Sequence, residues 1–250
     1  MHRLEEQAKA EADAERQRRA EADAERERQG QKRRGRPPKP VEETPPDTAQ
    51  MSFTDAELPI MQTNNKGWDY CGNAQASVDD AYQIILAGDV TDAPNDKQQA
   101  APMARATLAN LAQAGIDRPT DEGGKSQAIP ATLDNGYYSE AAAQALEDLG
   151  FDPYMAAGRH KHHEPEPATS AEPATAKEHM AAKVRPPEGK ALYARRKVIV
   201  EPVFGQIKEG RGFRRFLLRG LKKIRGEWSL VCLTHNLLKI GRYGWAQKAA

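Results

Sequence analysis

One stretch of the sequence places hydrogen-bonding, cationic and acidic side chains at helical spacing. It starts at position 193 and reads YARRKVIVEPVFGQIK. If this stretch is mainly helical, at about 100° per residue, five of these side chains fall on one side. They are Tyr193, Arg196, Glu201, Phe204 and Lys208. One carboxylate among cationic and hydrogen-bonding groups suits a site that binds a divalent metal ion and a phosphate together.

A proline follows this carboxylate directly, at Pro202. Proline disfavours the α conformation of the residue before it and removes one hydrogen bond of the preceding turn. We therefore predict a kink, or a new helix start, at Glu201.

The formal net charge of +1 hides an uneven distribution, because Lys and Arg dominate from Lys183 onward. Basic residues there alternate with Phe213 and Phe216, an arrangement that could follow a DNA backbone, although a solvated helix face would give the same pattern. The predicted DNA-binding residues in this cluster are Arg211, Arg214, Arg215 and Arg219.

A second basic segment occupies positions 32–39 and reads KRRGRPPK. It resembles an AT-hook, whose arginines enter the narrow minor groove of A·T-rich DNA. A basic linker that contacts phosphates without sequence preference is an equal alternative. Either interpretation makes Arg33, Arg34, Arg36 and Lys39 candidate DNA contacts.

Longer strings extend the pattern around Glu201. RGFRRFLLRGL begins at Arg211, and EWSLVCLTHN begins at Glu227. Together with the Tyr-Arg-Glu-Lys spacing, they resemble the C-terminal signature of bacterial insertion-sequence transposases of the DDE superfamily. Further landmarks of that family occur in order upstream: SFTD at 52–55, GNAQ at 72–75, Ile84–Val90 followed by Asn95-Asp96, and DNGYYSE at 134–140. The resemblance therefore runs from about Met51 to Gly241.

This resemblance implies a fold and a chemistry. The expected fold class is α/β, an RNase H-like mixed sheet with flanking helices. Asp134 is implied as the second catalytic carboxylate and Glu201 as the third, both ligands of Mg²⁺ or Mn²⁺. Tyr193, Arg196 and Lys208 are implied as the DNA-facing companions of Glu201. The implied activity is cleavage and re-joining of DNA phosphodiesters by two-metal-ion catalysis, with transposon ends and target DNA as partners, and a homodimer or a full-length transposase as a protein partner.

The first aspartate of the family, usually within Asp-Gly-Thr on an initial strand, has no counterpart here, since no Asp-Gly-Thr occurs. We therefore expect a truncated chain that lacks the first strand and is catalytically defective. Four other aspartates could replace this missing carboxylate, namely Asp79, Asp80, Asp89 and Asp96. We interpret them instead as turn and helix-cap residues on the surface. Two alternatives stay open: a non-catalytic DNA-binding protein that competes with a full-length transposase, and a relic that does not fold.

Composition changes along the chain predict three parts: a charged arm at 1–30, disordered or helical; a basic and Pro-rich linker at 31–50; and a partial catalytic domain at 51–245 with a flexible insertion at 158–189. The histidines of that insertion fit no standard zinc spacing.

No apolar run approaches the roughly 20 residues that a membrane-spanning helix needs, and Cys71 and Cys232 form no disulfide framework, so we expect a cytoplasmic protein.

Periodicity predicts the elements of the domain. We expect a β-hairpin from strands in Gly72–Val78 and Tyr82–Val90, then a helix that begins at Asn95 or Asp96 and stops at Gly115. A strand at Ala128–Leu133 should come next, followed by a helix that Ser139 caps. The buried stripe of this helix should consist of Ala141, Ala145, Leu146 and Leu149. A short strand should follow the helix, around Tyr154–Ala157. A last amphipathic helix of about 20 residues should bury Leu221, Ile224, Trp228, Val231, His235 and Leu238.

Overall fold

A computed structural model describes residues 2–30, 37–63, 66–156 and 175–246 of the chain. These residues form two compact units, Met1–Ala56 and Glu57–Ala250. The predicted AT-hook-like arginines, at 33, 34 and 36, and three of the histidines, at 160, 162 and 163, lie outside the described residues.

The first unit is built on one long helix, α1 (His2–Arg28). Its sequence consists mainly of good helix formers, and Glu15 accepts a hydrogen bond from Arg19 at 2.7 Å, one turn away. The following segment runs back along the helix, because the Arg19 guanidinium donates to the Lys39 carbonyl at 2.8 Å and Arg16 pairs with Glu43. The N-terminal arm is therefore helical.

The second unit contains the remaining strands and helices. Its strands are β1 (Ile60–Gln62), β2 (Trp68–Tyr70), β3 (Asn73–Val78), β4 (Ile85–Thr91), β5 (Ile129–Leu133) and β6 (Phe151–Met155). Its helices are α2 (Ala100–Gln113), α3 (Glu140–Asp148), α4 (Ala176–Val184), α5 (Pro187–Ala194), α6 (Arg196–Gly205) and α7 (Leu221–Ala246), with a 3-10 turn at Asn135–Tyr137 and a π-helical turn at Gln206–Gly210.

The described strands pair two by two. β1–β2 and β3–β4 are antiparallel, and β5–β6 is parallel. The mixed α/β class with flanking helices is confirmed. The described strands do not join into one mixed sheet, however, since no backbone ladder connects β3–β4 with β5–β6. A side-chain hydrogen bond links these two pairs instead, from the Tyr137 hydroxyl after β5 to the Gln75 side-chain oxygen in β3.

The predicted hairpin is confirmed as β3–β4. Ala76 faces Gly88 in its register, which shifts between Ser77 and Val78. The Asp79 carboxylate holds the turn, because it accepts hydrogen bonds from the backbone N–H groups of Tyr82 at 3.0 Å and Ala81 at 3.2 Å. Asp79 is thus a turn residue, as predicted.

The parallel pair β5–β6 is connected through α3, as a βαβ unit requires. Ser139 caps α3 as predicted, because its hydroxyl accepts from the Ala142 N–H at 3.1 Å. Ala142 and Leu146 are buried, whereas Ala141, predicted for the same stripe, is exposed. The stripe is rotated by one residue, because Ala142 stands one helical turn from Leu146.

The start of α2 differs from the prediction. The residue before its first turn is Gln99, which makes no capping hydrogen bond, and neither Asn95 nor Asp96 caps the helix. The Asp96 carboxylate accepts hydrogen bonds from the side chains of Asn73 and Gln75 instead. The helix ends at Gln113, and Gly115 follows with φ +71°, close to the predicted stop.

The second half of the predicted flexible insertion is helical. Thr175 and Glu178 form a capping box at the start of α4, and Met180 is 5% exposed within the core around β6. A single apolar anchor in a polar segment gives little periodicity, which explains why the sequence pattern missed this helix.

The last helix, α7, is longer than predicted at 26 residues. Ile224, Trp228 and His235 are buried against the β3–β4 hairpin, as the pattern predicts. Leu238 was predicted on the same face but is 58% exposed, and Cys232 is buried in the stripe instead. No helix among the described residues combines the length and apolar character that a membrane span requires.

Candidate active site

The carboxylate of Glu201 projects from α6, which runs through Pro202 without interruption. The predicted new helix start at Glu201 is therefore wrong, since α6 begins at Arg196. Pro202 has no N–H to donate to the carbonyl of Val198 one turn earlier. The side chain of Gln83 donates to that carbonyl at 2.8 Å instead, and so satisfies the group that the proline leaves free.

Gln83 is held in place from α7. It sits in the hairpin turn with φ +58°, a conformation uncommon outside glycine, and its side-chain oxygen accepts from Lys239 at 2.6 Å. The backbone carbonyl of Gln83 lies 2.9 Å from His235 Nε2. Because a carbonyl only accepts, this ring nitrogen carries the proton. Burial lowers the pKa of His235, which favours the neutral ring. Nδ1 of a neutral ring accepts, so the Gln206 amide, which lies 2.9 Å away, turns its NH₂ group toward it.

Asp134 directly follows β5, in extended conformation, and opens the 3-10 turn. Its Oδ1 accepts a hydrogen bond from the Asn135 N–H at 2.7 Å. Its side chain is 64% exposed, so the carboxylate remains open to solvent while the turn fixes its direction.

The two predicted catalytic carboxylates converge on one cation. Arg196 Nη1 lies 3.4 Å from Asp134 Oδ1 and 3.6 Å from Glu201 Oε1. The Arg196 side chain is 22% exposed, and its guanidinium lies over the Tyr193 ring, 5.0 Å from the centroid. The structure thus brings Asp134, at the end of β5, together with Tyr193 on α5 and with Arg196 and Glu201 on α6.

This arrangement offers oxygen ligands to a hard divalent ion. Both carboxylates are more than half exposed, and both face a position that already carries positive charge. Mg²⁺ and Mn²⁺ prefer such carboxylate oxygens and keep several water ligands. Within the described parts of the chain, no group of three or more His, Cys, Asp or Glu side chains is close enough to hold a metal. Asp134 and Glu201 are thus the two carboxylates that the arrangement offers, and Arg196 stands between them.

Lys208 lies further along, on the π-helical turn. Its ammonium group is 5.4 Å from the centroid of the Phe204 ring, and that ring stacks on Trp228 with centroids 5.8 Å apart. The described contacts join Lys208 to neither carboxylate. The turn around it is anchored by Ile207, which is 1% exposed.

The predicted DNA-binding arginines differ in their surroundings. Arg211 donates to the Thr234 hydroxyl at 2.6 Å, and Arg214 pairs with Glu209, so both are engaged within the chain. Arg215 and Arg219 are exposed and make no ion pair with any described residue. Lys39, in the first unit, is also exposed. The contact of these residues with DNA stays a prediction.

All four aspartates considered as replacements have partners elsewhere. Asp79 holds the hairpin turn, Asp80 pairs with Arg195 at 2.7 Å, and Asp96 accepts from Asn73 and Gln75. Asp89 was predicted as a turn or helix-cap residue, but it lies in β4 and pairs with Arg225 at 2.9 Å. The sequence interpretation missed Gln83, whose role could be suspected only from the carbonyl that Pro202 leaves unpaired. Its distance from Val198 in the sequence hides the pairing.

Comparison with known families bears on this site. Residues 153–241 match the family described as Transposase DDE domain. The match supports a DDE transposase. It includes Glu201 with its companions Tyr193, Arg196 and Lys208, and it ends where the sequence resemblance ends, at Gly241. Asp134 precedes the matched range. No curated protein and no solved structure matches the chain.

The neutral His235 makes the stability of the second unit depend on pH. Its folded pKa lies below the unfolded value of about 6.5, so its contribution is complete above that pH and is lost as the pH falls below it. One such group changes the free energy of unfolding by at most about 1.4 kcal/mol per pH unit. In urea unfolding at pH 7.5 and 5.5, we expect His235→Gln to lose less stability on acidification than the wild type. His179→Gln, at an exposed site, should behave like the wild type, and an equal loss in all three proteins would contradict a neutral His235.

Proposed function

We propose that this chain is part of a DNA transposase whose complete form cleaves and re-joins DNA phosphodiesters. The observation that carries the proposal is the approach of Asp134 and Glu201 to the same guanidinium nitrogen of Arg196. The two carboxylates are distant in the sequence, and the fold brings both to one cation. The match of residues 153–241 to the Transposase DDE domain supports the chemical class.

In this proposal Asp134 and Glu201 hold Mg²⁺ or Mn²⁺. When bound, the ion would supply positive charge that stabilises the oxygens at the reacting phosphorus. In the same proposal Arg196, which lies over the Tyr193 ring, contacts a DNA phosphate beside the carboxylates. Lys208 adds a second cation on the following turn, and the exposed Arg215 and Arg219 extend the basic surface.

We also propose an RNase H-like arrangement in which a further strand pairs with this unit. The hairpin β3–β4 and the parallel pair β5–β6 each keep an outer strand without a ladder partner among the described strands. In the family, the strand that carries the first aspartate would belong to the same sheet. Two carboxylates hold one ion weakly, whereas an in-line displacement uses two ions roughly 3.5–4 Å apart. This chain would then bind DNA and leave strand transfer incomplete.

A second candidate is a DNA-binding protein that competes with a full-length transposase, or assembles with it or with a second copy. Arg196 favours this candidate, because in the present arrangement it already neutralises the two carboxylates. The two candidates share the DNA contacts and differ in what the carboxylates do.

The basic cluster gives a quantitative test of DNA binding. Removal of one arginine that binds a phosphate should reduce the slope of log K against log salt by about 1. The measurement is an anisotropy titration of a duplex of about three helical turns at low and at moderate KCl. We expect the double variant Arg215→Ala/Arg219→Ala to lower that slope by about 2. Arg105→Ala, which removes an exposed arginine on α2, is the matched control and should leave the slope unchanged. An unchanged slope in the double variant would remove this cluster from the DNA-binding surface.

A cleavage assay tests the proposed catalytic defect. With supercoiled plasmid and Mn²⁺ or Mg²⁺, we expect the purified chain to nick DNA no faster than Glu201→Gln. Glu209→Gln, another exposed carboxylate, serves as the control for a general effect of charge. Nicking that disappears in both Glu201→Gln and Asp134→Asn would contradict the proposed defect and would make the chain an active nuclease. Absence of DNA binding in all proteins would overturn both candidates.

A further inference from the structure

A buried hydrogen-bond network lies beside the turn that carries Asp134, and the proposed function gives it no role. Its centre is the side chain of Gln75, a residue only 2% exposed. Gln75 Nε2 donates to Asp96 Oδ1 at 2.8 Å and to Asn73 Oδ1 at 3.0 Å. Asn73 Nδ2 donates to the same oxygen of Asp96 at 2.7 Å. Two amides and one carboxylate oxygen therefore form a closed and mutually satisfied cluster.

This cluster fixes the orientation of the Gln75 amide. An ionised carboxylate only accepts hydrogen bonds, so the NH₂ group of Gln75 must face Asp96 and its Oε1 must point away. That Oε1 accepts a hydrogen bond from the Tyr137 hydroxyl. Burial, with the nearby negative charges of Asp96 and Asp134, raises the pKa of Tyr137, so the hydroxyl keeps the proton that it donates.

Tyr137 belongs to the turn that Asp134 opens. The Tyr137 N–H donates to the Asp134 carbonyl at 3.1 Å, and the Asn135 N–H donates to Asp134 Oδ1 at 2.7 Å. Anchoring the Tyr137 ring therefore restrains the turn, and with it the direction in which the Asp134 carboxylate points.

Gln75 also touches the half of the unit that carries Glu201. Its backbone carbonyl accepts from Trp228 Nε1 at 2.9 Å, and Trp228 is 2% exposed. The indole stacks on Phe204, which belongs to the same helix as Glu201. A continuous series of buried contacts thus leads from the turn of one carboxylate to the helix of the other.

We propose that Gln75 is a positioning residue that fixes Asp134 opposite Glu201 by holding the Tyr137 hydroxyl. The metal-binding part of this inference rests on the proposed function. Three strings of the sequence that lie far apart meet in the network: GNAQ at 72–75, Asn95-Asp96 and DNGY at 134–137. Their side chains support the carboxylate without touching the ion or the DNA.

Two neighbouring tyrosines provide a matched test. Tyr137→Phe removes the hydroxyl that Gln75 holds. Tyr138→Phe removes a buried hydroxyl that has no hydrogen-bond partner among the described residues, so it breaks no bond. We expect Tyr137→Phe to speed amide hydrogen exchange at Asn135 and Tyr137 about tenfold and to weaken Mn²⁺ binding about fivefold, as the loss of one buried hydrogen bond would. Tyr138→Phe should change neither. Gln75→Met, which removes this bond together with those to Asp96 and Asn73, should change both readouts in the same direction and by at least as much.

The two readouts separate the possible failures. Unchanged exchange at both amides in Tyr137→Phe would overturn the positioning role, whatever happens to Mn²⁺. Equal effects of Tyr137→Phe and Tyr138→Phe would also overturn it, because they would reflect a general loosening of the core. A wild-type chain that does not bind Mn²⁺ would contradict the proposed function, while faster exchange in Tyr137→Phe alone would still support the role of Gln75 in ordering the turn.

Discussion

Two carboxylates on separate elements repel each other, and positive charge between them favours their approach. Arg196 provides that charge, since one nitrogen of its guanidinium lies within ion-pair distance of both Asp134 and Glu201. Solvent screens part of the repulsion, because both carboxylates are more than half exposed. A divalent ion held by the same two carboxylates would have to displace the Arg196 guanidinium from between them. The candidate site depends on this one juxtaposition.

Contacts elsewhere in the unit hold the turn after β5 and helix α6 in their relative positions. α6 continues through Pro202, which has no N–H to donate to the Val198 carbonyl. The Gln83 side chain donates to that carbonyl instead. Gln83 in turn is held by His235 and Lys239 on α7. On the other side, Gln75 links the Asp134 turn to Trp228, also on α7. The last helix therefore supports both halves of the site, although it contributes neither carboxylate.

Much of this could be predicted from the sequence, and the limits have physical causes. Local patterns predicted the hairpin, the Ser139 cap and the buried stripe of α7, because turn chemistry and helical periodicity are properties of neighbouring residues. The resemblance pointed to Asp134 and Glu201, and the structure places both beside Arg196. The sequence predicted a kink or a new helix start at Glu201 and could not decide between them, because the donor that compensates for Pro202, Gln83, is remote in the sequence. Asp96 was interpreted as a helix cap for the same reason: its true partners, Asn73 and Gln75, lie on another element.

Side-chain hydrogen bonds, rather than a continuous sheet, connect the two described strand pairs β3–β4 and β5–β6 of the second unit. The pairing of strands follows the alternation of apolar and polar residues, which can be read from the sequence. A single Gln–Tyr hydrogen bond between two elements leaves no such pattern. The amides of Asn73 and Gln75 show how a polar core can order a turn, since every donor that faces Asp96 has its acceptor.

The most direct test of the shared site is a double-mutant cycle on Mn²⁺ affinity, measured by electron paramagnetic resonance titration. The variants are Asp134→Asn, Glu201→Gln and their combination, and Glu209→Gln is the control. If both carboxylates hold one ion, each single variant should weaken binding about tenfold or more, and the double variant should lose clearly less than the sum of the two free-energy changes. Two independent, additive losses, or a loss confined to one variant, would show that the two side chains do not share an ion and would contradict the account.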